Sequence, residues 1–142
     1  MAVRSDSRNG TALAKEEVEA QLGDLVLGRF ERLAALPFDA VSTPAEVRDL
    51  TSTRDFGGRT WNTAVDVDDL DGDTTIVAIQ GAEGGSLVFE VATEVEYVRK
   101  SGSAWTAAGP GQRTWFKRAT LAITGPLGVE ARVERVFSER GV

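Results

Sequence analysis

The chain has 142 residues, 42% of them apolar and 27% charged, a net charge of −6, and neither cysteine nor histidine. That length suits one domain spanning residues 1–142 with a single core. The composition excludes disulfides, thiolate chemistry and Cys or His metal sites. The acidic balance (pI ≈ 4.7) gives phosphate backbones and anionic lipid surfaces little to attract, so no nucleic-acid partner is expected.

The first predicted element is a helix from Ala12 to Leu36. Val18, Leu22, Leu25, Val26, Phe30, Leu33 and Leu36 follow one another in steps of one, three and four, which lines them along one stripe of a 3.6-residue period. Lys15, Glu16, Glu19, Asp24, Arg29, Glu31 and Arg32 are assigned to the other faces. Pro37 ends the helix, because the residue before a proline is pushed out of the α region. Gly23 and Gly28 lie inside it, either as tolerated glycines or where another backbone comes close. Thr11 stands at its start without a Glu or Gln three residues on, so a capping box is lacking. Met1–Gly10 is polar and does not read as a signal peptide, and no run reaches the ~18 apolar residues of a membrane span. The expectation is either a cytosolic chain or one that begins inside a longer helix.

A connecting region covers residues 37–58. Within it Thr43-Pro44-Ala45-Glu46 reads as a helix start, with proline at the first position and a glutamate to close the cap, so a short helix to Leu50 is predicted. Gly57-Gly58 punctuates. From Arg59 the period changes to two, with Trp61, Thr63, Val65 and Val67 on one side, which predicts a half-buried strand. An acidic turn, Asp68 to Asp73, follows it. Further strands are predicted at Thr75–Gln80, Ser86–Lys100, Thr114–Thr124 and Val129–Phe137, with a loop at Ser101–Gly111 and a turn at Gly125–Gly128. On the second of these, Leu87, Phe89, Val91, Val95 and Tyr97 face inward, as do Ala119, Leu121 and Ile123 on the next and Val129, Ala131 and Val133 on the last. Strands joined by short loops pair antiparallel. The predicted class is therefore α+β: a long amphipathic helix packed on an antiparallel sheet of four or five strands.

Motifs for catalysis are missing. Gly81–Gly85 lacks the lysine and following helix of a phosphate loop, and no histidine is present to activate a serine. Glu90, Glu94 and Glu96 alternate along a strand and read as its solvated face rather than as an acid–base pair. No catalytic residue, cofactor site or enzymatic activity is expected. Asp66, Asp68, Asp69, Asp71 and Asp73 offer the hard oxygen ligands that calcium takes, although their spacing fails the EF-hand pattern and a solvated turn explains them as well. From Ala64 to Val98 there are nine acids and no base, and from Arg99 to Arg118 five bases and no acid. Adjacent strands neutralise one another, or patches of opposite sign dock neighbouring copies.

Three stretches in order carry a resemblance: the helix exit Arg29-Phe30-Glu31-Arg32-Leu33-Ala34-Ala35-Leu36-Pro37-Phe38, the opening Gly57-Gly58-Arg59-Thr60-Trp61 that runs to Asp66-Val67-Asp68, and Lys117-Arg118-Ala119-Thr120-Leu121-Ala122-Ile123-Thr124-Gly125-Pro126 followed by Val129 to Phe137. Over residues 12–137 the layout resembles type IV pilin-like proteins, above all minor pilins and the pseudopilins of type II secretion. The basic leader and apolar half-helix of about twenty residues that mark the family do not stand in this sequence. The cysteine-closed loop of many major pilins is missing too, which directs the match to minor pilins and pseudopilins. The resemblance implies a structural subunit of a type IV pilus or a pseudopilus. Its missing half-helix would anchor it in the inner membrane, with the folded domain in the periplasm until it joins a periplasmic or cell-surface filament. Its partners would be other such subunits, and without the assembly helix the chain is expected to be monomeric. The alternative is an extracellular or periplasmic binding or adhesion module, with calcium at the acidic turn or a ligand at the Ser101–Gly111 loop and its Trp105.

Overall fold

The computed structural model describes residues 2–41, 43–82 and 84–139, with side chains described from residue 14 onward. One helix, α1 (Ala2–Ala35), precedes five strands: β1 (Thr74–Gln80), β2 (Ser86–Ser101), β3 (Ala104–Ala107), β4 (Phe116–Thr124) and β5 (Glu130–Ser138). All pairings are antiparallel, in the order β1-β2-β4-β5, with β3 folded back on the end of β2. The class is α+β. Among the described residues no helix is long and apolar enough to cross a membrane.

The stripe of α1 explains the core. Val18, Leu22, Phe30 and Leu33 are buried, and Leu25, Val26 and Leu36 are partly buried against the same cluster. From the sheet come Phe89, Val91 and Val95 of β2 and Ala119, Leu121 and Ile123 of β4, with Val77, Ile79, Ala131 and Val133 at its margins. Alternation does the sorting, since successive strand side chains point to opposite faces and Glu90 and Glu94 remain exposed. The turn after β4 passes close over this core. A Cβ on Gly125 would lie 2.7 Å from the Phe89 ring, so only glycine fits there. A second, smaller core joins Leu50, Tyr97 and Ala108 to Phe38, Val47, Phe56 and Trp115.

Several expectations are corrected. The helix starts ten residues before Ala12. Gly23 and Gly28 have no neighbour within 4 Å of an added Cβ, so no backbone approaches either. Arg29, assigned to a polar face, is buried at 6% exposure. The predicted helix from Thr43 is reduced to one 3-10 turn, Val47–Asp49, because Asp49 Oδ2 accepts the amides of Ala45 and Glu46 and starts the turn later in the chain. The alternating run from Arg59 to Val67 forms no strand. It has no neighbour to pair with, and side chains satisfy its backbone locally: Thr63 Oγ1 accepts the Thr60 amide, and Asp66 caps a 3-10 turn at Val67–Leu70. Within Ser101–Gly111 the chain makes β3, whose Trp105 stacks on Phe116 at 4.8 Å between ring centroids.

Candidate functional site

The most unusual chemistry lies between the two cores. Inward positions on β4 recur every second residue, through Ala119, Leu121 and Ile123. The preceding position in that row is Lys117. Pairing sets it beside Tyr97 of β2 and Phe137 of β5, and its side chain is fully buried. An isolated ammonium in such a place costs many kcal/mol, so it needs partners.

It has three. Lys117 Nζ donates to Asp68 Oδ2 at 2.8 Å, to Asp39 Oδ2 at 2.9 Å and to the Phe38 carbonyl at 2.5 Å. Three acceptors use the three protons of an ammonium. Aromatic rings close the remaining sides: Phe38 at 4.3 Å from Nζ to the ring centroid, Tyr97 at 5.4 Å and Phe56 at 5.6 Å. Ring faces attract a cation and exclude water.

Each acid is placed by local structure. Asp39 follows the helix exit. Its Oδ1 accepts the Val41 amide and the Thr51 hydroxyl, and its Oδ2 accepts the Thr51 amide. Burial would raise its pKa, but these bonds and Lys117 hold it below the ordinary carboxylate value. Asp68 sits in the Val67–Leu70 turn, fixed by the Asp66–Asp69 capping box, in which Asp69 Oδ2 accepts the Val65 and Asp66 amides. Burial pushes the Asp68 carboxyl up to about 7 against the opposing pull of Lys117, and Asp66 adds to the rise. Asp66 is raised as well, by burial first and by the charge of Asp69. Gly57 locks the arrangement: its amide donates to the Asp68 carbonyl, its φ is +80°, and a Cβ there would lie 2.5 Å from the Asp71 carbonyl oxygen. Tyr97 donates its hydroxyl to the Thr51 carbonyl at 2.6 Å, and burial moves its pKa upward.

The five acids considered for calcium do not converge on one point. Among the described residues, the acids whose oxygens lie within 4.8 Å of one another are Asp39, Asp66 and Asp68. Asp69 serves the cap, Asp71 Oδ1 accepts the Val95 amide at 2.8 Å, and Asp73 Oδ2 accepts the Thr75 hydroxyl at 2.7 Å. The cation beside the buried trio is the ammonium of Lys117, which would repel a divalent ion. Sequence reasoning missed both Asp39 and Lys117. The signal for Lys117 was its inward parity with Ala119. For Asp39 there was none, since its partners lie far along the chain.

The uneven charge distribution is partly resolved across strands. Glu96 of β2 faces Arg118 of β4 on the outer side and pairs with it, and Arg118 also reaches Glu134 at 3.9 Å.

No protein-family model, curated protein or solved structure matches this chain.

Proposed function

We propose that the chain is the folded part of a pilin-like structural subunit, a minor pilin or pseudopilin, that works by packing against neighbours rather than by catalysis. The observation that carries this reading is the docking of one helix stripe, Val18 to Leu36, into the core of an antiparallel sheet, on a helix that starts at Ala2, sixteen residues before its first core residue. At about 1.5 Å per residue the 34-residue helix is ~51 Å long. A stalk clamped to a globular head at one end is the geometry that a helical filament core requires. Charge supports contacts on the outer face, where Glu94, Glu96, Arg118, Arg132 and Glu134 gather.

The test begins with the full native reading frame, carrying an epitope tag on the C-terminal side. The expected result is an apolar segment upstream of Met1, its processing by the host peptidase, and recovery of the tag in sheared filaments or crosslinked to other subunits. A frame that opens at Met1, with the tag only in the cytosolic fraction, overturns the reading.

A further inference from the structure

We propose that Lys117 and Asp68 condense to an intramolecular amide, so that the mature chain carries a covalent crosslink between β4 and the turn at Val67–Leu70. The juxtaposition provides what an uncatalysed amide bond in water lacks. The amine nitrogen lies 2.8 Å from Asp68 Oδ2 and is held there by two other acceptors. Both side chains are at most 1% exposed, so water neither competes with the amine nor hydrolyses the product. The two carboxylates on the amine differ in protonation. Asp39 is held as the anion by Val41, Thr51 and Lys117, whereas Asp68 keeps its proton up to about pH 7. A protonated acid is the electrophile that condensation needs, and an anion is the base.

The step balances. The ammonium of Lys117 passes one proton to Asp39. The free amine adds to Cγ of Asp68, forming the C–N bond. The second amine proton is carried to the departing hydroxyl of Asp68, the C–O bond breaks, and water leaves. The products are the amide, one water and a protonated Asp39, which then loses its proton to solvent. Nothing is oxidised or reduced, and no co-reactant is needed. Asp66 lies beside Asp68 and supports its neutral form through their mutual hydrogen bond and charge. It is a positioning residue, as it has no recorded contact with the amine.

Intact-mass spectrometry of the full purified chain, denatured after incubation at neutral pH, tests this. The expected mass is one water below that of the sequence, with a branched peptide joining Lys117 to Asp68 and no tryptic cleavage after Lys117. Lys117→Arg is expected to keep the full mass. Asp68→Asn is expected to lose ammonia in place of water. A full-mass chain that circular dichroism shows to be folded overturns the proposal. So does a lost water that maps to a succinimide at Asp71-Gly72, or a branch from Lys117 to Asp39. Each result is read on the wild-type chain, so the proposal does not depend on any variant folding, and it is independent of the filament reading.

Discussion

The guanidinium of Arg29 lies 3.9 Å from the centroid of the Trp61 ring. This contact ties the last turns of α1 to a segment that has no regular structure and would otherwise be held only by its own turns. Burial lowers the Arg29 pKa, while the charge of Asp73 opposes the shift. Its Nη1 finds no hydrogen-bond acceptor among the described residues, so the ring face is its main compensation.

Removing that contact tests its weight. Arg29→Ala is expected to cost about 1–2 kcal/mol, from the lost cation–π contact and the packing of the arginine stem. Trp61 would become more accessible, read as a red shift and stronger quenching of its fluorescence. Urea denaturation with no change in midpoint would show that the contact carries no stability.

Breaking the buried ion cluster should cost more. Lys117→Met leaves Asp39 and Asp68 facing each other without a cation, and about 3–5 kcal/mol of stability is expected to go. Adding Asp39→Asn and Asp68→Asn to that variant removes the stranded charges and should restore a large part of the loss. The ordering of the denaturation midpoints, with the triple variant above the single one, checks the argument.

The two acids that hold Lys117 give stability opposite slopes with pH. Asp68 in the folded, ion-paired chain titrates at about 7 against an ordinary value of 3.8. Between those values the folded state keeps a proton that the unfolded state has lost, so stability falls as pH rises through that window. Asp39 is held below its ordinary 3.8, so its contribution is present above that value and is lost as pH falls through its lower, folded one. A melting temperature several degrees higher at about pH 5 than at about pH 8 is therefore expected for the ion-paired chain, with a decline again below about pH 3. A flat profile between about pH 5 and pH 8, in a chain shown by mass to be unlinked, would contradict the assignment of Asp68.

Backbone conformation supplies a sharper test at Gly57. Alanine there meets both a φ of +80° and a carbonyl oxygen 2.5 Å from its Cβ. Gly57→Ala is expected to destabilise by about 2–4 kcal/mol, through the left-handed conformation and the displacement of Asp71. Gly58→Ala, with φ +81° and open space around it, should cost only about 1 kcal/mol. The gap between the two, read by chemical denaturation, isolates the steric part.

The helix–sheet interface can be weighed in the same way. Leu33 is fully buried, and Leu27, on the same helix, is 60% exposed. Leu33→Ala is expected to cost about 2–5 kcal/mol, and Leu27→Ala to stay within about 0.5 kcal/mol of wild type. Equal effects would mean that the stripe does not bear on the sheet.

Near neighbours in the chain decided what could be read from the sequence by itself. The stripe from Val18 to Leu36, the stop at Pro37, the inward rows of β2 and β4 and the turn at Gly125–Gly128 all follow from periods of 3.6 and 2 or from single-residue backbone preferences, and the described residues follow them. The run from Arg59 to Val67 has the period of a strand but no partner strand, and a period cannot supply one. Tertiary structure alone decided the fate of the charges. Asp39 and Lys117 are 78 residues apart, and Asp68 and Lys117 are 49 apart. Only the pairing of β4 with β2, and the return of the chain after Pro37 and Gly57, bring the three together. Each would carry its charge in water if the chain were extended. Burial among Phe38, Phe56 and Tyr97 forces them to share protons and bonds, and that desolvation belongs to the folded core.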